Sequence, residues 1–420
     1  MRKPKKQKLF DPSVVSTEIL EAMRHDLGSI SNRSEYTALF AQAQSEKLLK
    51  KFISKPDSEI DEKAYSKFLE ANRDMQTLSY DCMWDRPSTS NASYRAFVVL
   101  RMASQLCHEI LGDGDDVDEV AIIMSARHSG GVSAGIPFLD TSLERKWKFP
   151  ITSTAEAARY FPIFQQTYPE LWEAIRRLNW DNPYQEPLTI VEGSKLCTVP
   201  KTNEISRTIS PEPTFNMYLQ QGLAQLIWDK IERWGLSLSK DQEKHRSLAF
   251  KGSITNVLGT IDFESASDRV SWQLVQLLFP RVWSAAIADT RCSKILVKDE
   301  WVTMFGVSTM GNATTFPVET LVLWSLAIAS QLVKTGDLTL TKRAVSQSGC
   351  HTFGDDVIMP ASSVDLFLET TKRLRMVPNI AKSYWNKEYF RESCGGDFFH
   401  GRDVRVFYLR TMPEGQSKSK

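Results

Sequence analysis

The chain has 420 residues, 42% of them hydrophobic and 25% charged, enough to bury two or three subdomain cores, and a wholly disordered chain is excluded. Its 20 Gly and 18 Pro are ordinary proportions, which excludes a collagen or a mucin-like stalk. Lys and Arg total 52 against 51 Asp and Glu, a net charge of +1, so any argument for nucleic acid has to come from local charge.

Residues 1–10 read as a basic mobile tail, with five Lys or Arg among the first eight and no apolar stretch of a signal peptide behind them. From 13 to about 125 the pattern is mostly helical. Ala96 to Leu111 has helical apolar spacing and stops at Gly112, a C-cap residue. The segments LTIVEG and KLCTVP, within 188–200, read as strands. Met217 to Trp234 is amphipathic, with Leu223, Leu226, Ile227 and Ile231 on one face and Gly235 as its cap. GTIDF (259–263) is a short strand, followed by the polar turn ESASD and the helix VSWQLVQLLF. Thr314 or Thr315 caps a helix through Val333, with Pro317 tolerated in its first turn. CHTFGDDVIMP reads strand, tight turn, strand, and Val364 to Leu374 is a helix capped by Ser362 or Ser363. From 259 onward this order suits an α+β fold, a sheet with helices on one face. The most apolar run, Leu321 to Ala329, is broken by Ser325 and far short of the ~20 residues of a membrane span. Six scattered cysteines with no CxxC argue for free thiols rather than a zinc ribbon. Together these features predict a soluble intracellular protein.

The chemistry concentrates in carboxylates. Gly354-Asp355-Asp356 lies between the apolar flanks His351-Thr352-Phe353 and Val357-Ile358-Met359-Pro360. Two adjacent Asp at a buried hairpin tip repel each other and lose hydration. A divalent cation relieves both costs, because Mg²⁺ takes hard carboxylate oxygens. The tetrapeptide GDDV occurs twice. The first copy, at 114–117, follows a helix C-cap, has acidic neighbours and no apolar strand before it, and reads as a solvated loop. The second copy has Asp262, at the end of the strand GTID, 93 residues upstream of Asp355. If strand 259–263 pairs beside the 351–359 hairpin, Asp262 and Asp355 can share two metal ions ~3.5–4 Å apart. Asp262 alone would more often be a turn or cap residue.

IDFESASDRVS (261–271), STMGNATTFPVETL (308–321) and FGDDVIMP (353–360) together resemble the palm motifs A, B and C of RNA-directed RNA polymerases, in order and at workable spacing. The sequence is most similar to the replicase β subunits of single-stranded RNA bacteriophages. RHSGG (127–131), the TVPK…SRTISPEP run (198–213) and YFRESCGGDFFHG (389–401) extend the resemblance from about residue 80 to 410. It implies a right-hand polymerase: a mostly helical N-terminal region and fingers over 11–250 with motif F near 195–213, a palm over 251–391, and the start of a thumb, short or missing, over 392–420. It implies that Asp262, Asp355 and Asp356 are catalytic metal ligands for two Mg²⁺ ions, with Mn²⁺ able to substitute. Asp268 and Asn312 take the places of residues that read the ribose 2′-hydroxyl. Ser308 and Gly311 lie in the motif B loop, where small residues let the backbone approach nucleotide or template. Lys201 and Arg207 fall in motif F, whose cations hold the triphosphate. Lys382, in AKSYW, fits a motif D lysine that protonates pyrophosphate.

The implied activity is RNA-templated addition of ribonucleotides to a 3′-hydroxyl. The implied partners are RNA template and product, ribonucleoside triphosphates, host elongation factors Tu and Ts and a ribosomal small-subunit protein, without a membrane, in the cytoplasm of the bacterial host. Phe263 and Glu264 depart from the family pattern, leaving open whether the extra carboxylate faces the metals. The family continues into a thumb beyond the RESCG stretch, so the chain is expected to be a short version or an incomplete one. Three other readings stay open: a reverse-transcriptase-like palm, a non-catalytic RNA-binding palm and a metal-dependent phosphohydrolase. The first would need a bulky residue against the ribose, and the second is disfavoured by three intact Asp. The third predicts nucleotide hydrolysis without template.

Overall fold

The computed structural model describes residues 58–78, 91–114, 117–136, 139–181, 184–386 and 388–408, with a few isolated positions between 44 and 51. The basic tail, Cys82 and the Asp115-Asp116 pair of the first GDDV lie outside the described residues. The protein divides into two compact units. The smaller comprises Met1–Ala64, Thr198–Arg207 and Val404–Lys420. Within it, Asn203 N–H donates to Lys50 O at 3.0 Å, and Gln44 exchanges two hydrogen bonds of 2.7 Å with the backbone of Phe407.

The larger unit, Tyr65–Cys197 with Thr208–Asp403, holds the main core. Its axis is the helix Thr315–Thr335, which packs along Asn91–Leu111 and is flanked by Thr214–Glu232 and Val364–Arg373. That central helix is long and apolar enough to cross a membrane by length and composition, which the nine-residue run at 321–329 did not suggest, but 83% of its apolar stretch is packed inside the fold. Trp324 and Trp283 are among the largest fully buried side chains, and the Trp324 indole N–H reaches Cys350 O at 3.0 Å. Each such ring removes roughly 150–250 Å² from water, worth at most about 4–6 kcal/mol at ~25 cal/mol/Å². Five described cysteines, Cys107, Cys197, Cys292, Cys350 and Cys394, are free.

Against this helix lies an antiparallel sheet in the order His351–Phe353, Asp356–Pro360, Leu258–Ile261. Val357 and Met359 join the main core. Ile358, between them, points the other way and is buried too, so both faces of the sheet are covered. The strand Phe263–Glu264 continues past Asp262 and pairs with Val377–Pro378. A second sheet, Phe390–Ser393 with Gly396–Phe399 and Arg402–Asp403, packs on the helix Asp241–Thr255.

Several elements differ from the sequence expectation for local reasons. The helix at Thr214–Glu232 is amphipathic only toward its C-terminus, because Thr214 to Gln220 are buried on every side. Its polar residues there are satisfied internally: the amides of Asn216 and Gln220 both donate to Thr290 O, at 3.0 and 2.8 Å. Gly222 lets the backbone of 119–125 come close, since a Cβ would stand 2.1 Å from Ile122 O. The polar turn ESASD runs into one helical turn, Ala266–Arg269, and the next helix starts two residues later than read, with Ser271 capping Trp272–Leu278 through Leu274 N–H at 3.0 Å. Ser363 precedes Val364–Arg373 without capping it, because its hydroxyl is turned to Gln331 Oε1. A further helix, Arg281–Thr290, and a hairpin, Lys294–Val297 with Glu300–Thr303, intervene before the central helix and were not anticipated.

Candidate active site at the end of the sheet

The strand Leu258–Ile261 ends immediately before Asp262, and its register pairs Ile261 with Val357 and Thr260 with Ile358. Carried one residue further, that antiparallel register sets Asp262 across from Asp356, with Asp355 beside it in the turn. Gly354 forms the turn at φ +63°, and any Cβ there would meet the Phe316 ring at 2.5 Å. Gly354 N–H donates to Thr320 Oγ1 at 3.0 Å, tying the turn to the central helix. Strand geometry and one glycine therefore bring the three acids to one end of the sheet.

Their environments differ. Asp355 is exposed. Asp356 is part-buried, and its Oδ2 accepts from Cys394 N–H at 3.1 Å. Burial pushes its carboxyl up to about 7, Asp355 and Asp262 add repulsion, and the Cys394 N–H works in the opposite direction. Asp262 is gripped by the turn Asn379–Ser383. Its N–H donates to Ser383 Oγ at 3.1 Å, and its carbonyl oxygen accepts from Asn379 N–H at 2.9 Å. Its Oδ2 accepts from Asn379 Nδ2 at 2.9 Å, with Lys382 Nζ 4.0 Å from the same oxygen.

A fourth acid, Glu319, sits behind them on the central helix. Its carboxyl lies well above the usual range because it is buried, with Asp355 and Asp268 repelling its charge and the Ser267 hydroxyl opposing at 3.4 Å. The sequence did not single out Glu319, although an acid in the first turns of an otherwise apolar helix was the available signal. Asn379 and Cys394 were also missed, since each reaches its aspartate only through tertiary contact.

Asp268 lies near this group. Burial raises its carboxyl to about 7, against the pull of the Thr208 hydroxyl at 3.3 Å and of Arg269 and Lys67. Its Oδ1 is buried with no hydrogen-bond partner among the described residues. Ser308 and Asn312 are both buried. Ser308 Oγ accepts from the Thr315 hydroxyl at 2.8 Å. Asn312 Oδ1 accepts from Thr314 N–H and the Thr314 hydroxyl, at 2.8 and 2.7 Å, an Asx turn opening the central helix. Gly311, at φ +123°, lies against the Ser210 backbone, where a Cβ would stand 2.3 Å from Ser210 O. Of the two departures in motif A, Phe263 packs edge-on against Phe367 in the core, and Glu264 is ion-paired to Lys67 at 2.9 Å. Lys201 and Arg207 belong to the smaller unit, both exposed, on the hairpin of Cys197–Pro200 with Ser206–Ile209.

The donor set at the sheet end is hard oxygen, which suits a divalent cation such as Mg²⁺ or Mn²⁺. The repulsion that Asp355 and Asp262 exert on Asp356 is the cost such a cation would relieve. Among the described residues, no three His, Cys, Asp or Glu side chains already stand close enough to enclose an ion. The acids therefore share the sheet end without a closed ligand set.

The raised Asp356 carboxyl has a stability consequence. Between the ordinary Asp value and about 7, the folded protein holds a proton that the unfolded form has released. The contribution of this group is fully present below the unfolded pKa and is lost as pH rises through about 7. Asp356→Asn cannot ionise. In EDTA, the melting temperature of Asp356→Asn minus that of wild type is expected to be larger at pH 8 than at pH 5. A difference independent of pH would show that Asp356 ionises normally.

A model of the family described as RNA replicase, beta-chain matches residues 8–415. The RNA-directed RNA polymerase subunit beta of Enterobacteria phage SP is 28% identical over 372 residues, covering 86% of this chain and 59% of that protein. The corresponding subunit of Escherichia virus Qbeta is 30% identical over 313 residues, covering 74% and 49%. The chain thus spans about half the length of the curated relatives it matches. Among solved structures, an insertion-loop deletion mutant of the RNA-dependent RNA polymerase of a human picobirnavirus aligns with a TM-score of 0.52 at 14% identity. It covers 95% of this chain and 75% of the other, a likeness of fold.

Proposed function

This chain belongs to the RNA replicase β-chain family, and on that premise we propose that it is the catalytic subunit of an RNA-templated RNA polymerase, adding ribonucleotides to a 3′-hydroxyl to copy a single-stranded RNA genome. The observation that carries the reading is the register that sets Asp262 across from Asp356 beside the exposed Asp355. Asp262, Asp355 and Asp356 would hold two Mg²⁺ ions, with Mn²⁺ as a substitute. Such ions supply charge relief at the triphosphate and at the attacking hydroxyl.

The protein's own residues do the rest by positioning. Asp268, held on one oxygen by Thr208, offers the other to the ribose 2′-hydroxyl. Asn312 fixes the start of the central helix through Thr314 and takes part in the sugar site; Ser308 and Gly311 shape its loop. Lys201 and Arg207 are the cations for the triphosphate, and Lys382 supplies a proton to departing pyrophosphate. Residues 11–250 would form the N-terminal region and fingers, 251–391 the palm, and 392–420 the start of a thumb. The partners in this reading are RNA template and product, ribonucleoside triphosphates, elongation factors Tu and Ts and a ribosomal small-subunit protein, in the cytoplasm of the bacterial host.

Two measurements test this reading. Asn312→Ala is expected to lower the preference for ribo- over deoxynucleotides by about tenfold, the order of one lost hydrogen bond to sugar. An unchanged ratio would remove Asn312 from the sugar site. Nucleotide consumption by wild type should require RNA template. Hydrolysis without template would place the protein with metal-dependent phosphohydrolases.

A further inference from the structure

Two of the three aspartates at the sheet end are held from outside their own strands, and the third is not. Asn379 meets Asp262 twice: its N–H donates to the backbone carbonyl oxygen at 2.9 Å, and its amide Nδ2 donates to Oδ2 at 2.9 Å. The turn that carries Asn379 is itself closed, since Ser383 Oγ and Lys382 N–H both donate to Asn379 O, at 2.8 and 3.0 Å. It is anchored to the sheet by the next residue: Tyr384 exchanges backbone hydrogen bonds of 2.7 and 2.8 Å with Thr260, two residues before Asp262. The Asn379 amide is therefore placed relative to the sheet by several bonds and is not a chance surface contact.

Asp356 has a parallel arrangement. Cys394, at φ +47° in the turn between Phe390–Ser393 and Gly396–Phe399, donates its N–H to Oδ2 at 3.1 Å. That hairpin is also tied to its surroundings, by the buried Arg391 guanidinium on Leu258 O and by Ser393 Oγ on His245 Nδ1 at 3.0 Å. Asp355 is exposed, and no described residue hydrogen-bonds its carboxylate.

We propose that Asn379 is a positioning residue: by holding Oδ2 it fixes the orientation of the Asp262 carboxylate and thereby sets the affinity of this acidic corner for a divalent cation. The inference rests on the polymerase reading for the purpose of the site, but not for its test. Donors that orient ligating carboxylates typically change metal affinity or activity by 10- to 100-fold when removed. In this arrangement Asp262 and Asp356 are the pre-set pair, and Asp355 is the side chain that adjusts to complete the ligand set.

The test is Mn²⁺ binding to the full-length protein, followed by the EPR signal of free Mn²⁺ with neither nucleotide nor RNA present. Asn379→Ala is expected to bind Mn²⁺ about 10- to 100-fold more weakly than wild type, with an unchanged melting temperature in EDTA. Raising Mg²⁺ in an incorporation assay should restore much of its lost rate, which a folding defect would not allow. Asn379→Leu, closer in volume and also lacking the donor, should behave alike if the alanine variant folds poorly. Equal or tighter Mn²⁺ binding by a folded variant would overturn the proposal, as would a wild type that binds no Mn²⁺. Because no substrate is present, a protein that binds Mn²⁺ but makes no RNA would contradict the polymerase reading and leave this one standing.

Discussion

Asp355→Asn is expected to fold as wild type does and to retain less than about one-hundredth of its template-directed incorporation. The substitution keeps shape and removes one negative charge. Asp355 is exposed, so losing its ionised form costs the fold little. Its charge also burdens its neighbours, since it raises both Asp356 and Glu319. The melting temperature in EDTA should therefore be equal to or slightly above that of wild type. Activity should fall because an amide is a poor substitute for a carboxylate toward a divalent cation. The internal control is Asp115→Asn, in the GDDV copy that the sequence reads as a solvated loop, where activity should stay within about twofold. Full activity in Asp355→Asn, or an equal loss in Asp115→Asn, would show that the wrong acidic pair has been chosen.

Gly311→Ala is expected to destabilise the larger unit by about 3 kcal/mol or more. Two costs coincide there. The residue has φ +123°, a conformation that L side chains rarely adopt. Its added Cβ would also stand 2.3 Å from Ser210 O and 2.9 Å from Ser210 C. Those are backbone atoms that cannot swing aside, and Ser210 N–H is bonded to Met310 O at 2.7 Å, which holds the two segments together. Gly336→Ala separates the two costs, because Gly336 has φ +76° with nothing within 4 Å of its Cβ. That variant should lose only about 1 kcal/mol. Urea midpoints for the two proteins check this. Similar losses would mean that the close approach to Ser210 is unimportant, and that Gly311 serves only to bring backbone near nucleotide or template.

The carboxylate geometry was legible because it depends on local pattern. The apolar flanks of 351–353 and 357–360 define a hairpin, Gly354 allows its turn, and a short apolar strand ending at Asp262 has a natural place beside it. The rest of the site depends on tertiary contacts that leave no periodic trace. Asn379 lies 117 residues from Asp262, and Cys394 lies 38 from Asp356. Glu319 was hidden for a different reason: it follows Pro317 in an apolar helix and reads as its polar edge until burial shows otherwise. Gly311 was legible as a glycine that something approaches, and the Ser210 backbone of the same protein is one close neighbour the sequence did not indicate. The helix at 214–232 was legible only in part: its apolar stripe from Leu223 to Ile231 could be read, but not that Asn216 and Gln220, upstream at helical spacing on the same face, are core hydrogen-bonding groups in the fold. The hairpin at 294–303 was lost between stronger motifs, although the β-prone segments KILV and EWVT around a two-residue KD turn were visible.

The most direct test of the central claim is incorporation of a labelled ribonucleotide on an RNA of defined sequence. Mg²⁺ would be supplied, with and without a bacterial extract as a source of host factors. Wild type is expected to make product complementary to the template, in at least one of these conditions, and Asp355→Asn is expected to make none in either. Folded wild type that yields no template-dependent product with or without extract, or Asp355→Asn that yields as much as wild type, would contradict the assignment of Asp262, Asp355 and Asp356 as the centre of an RNA-templated polymerase.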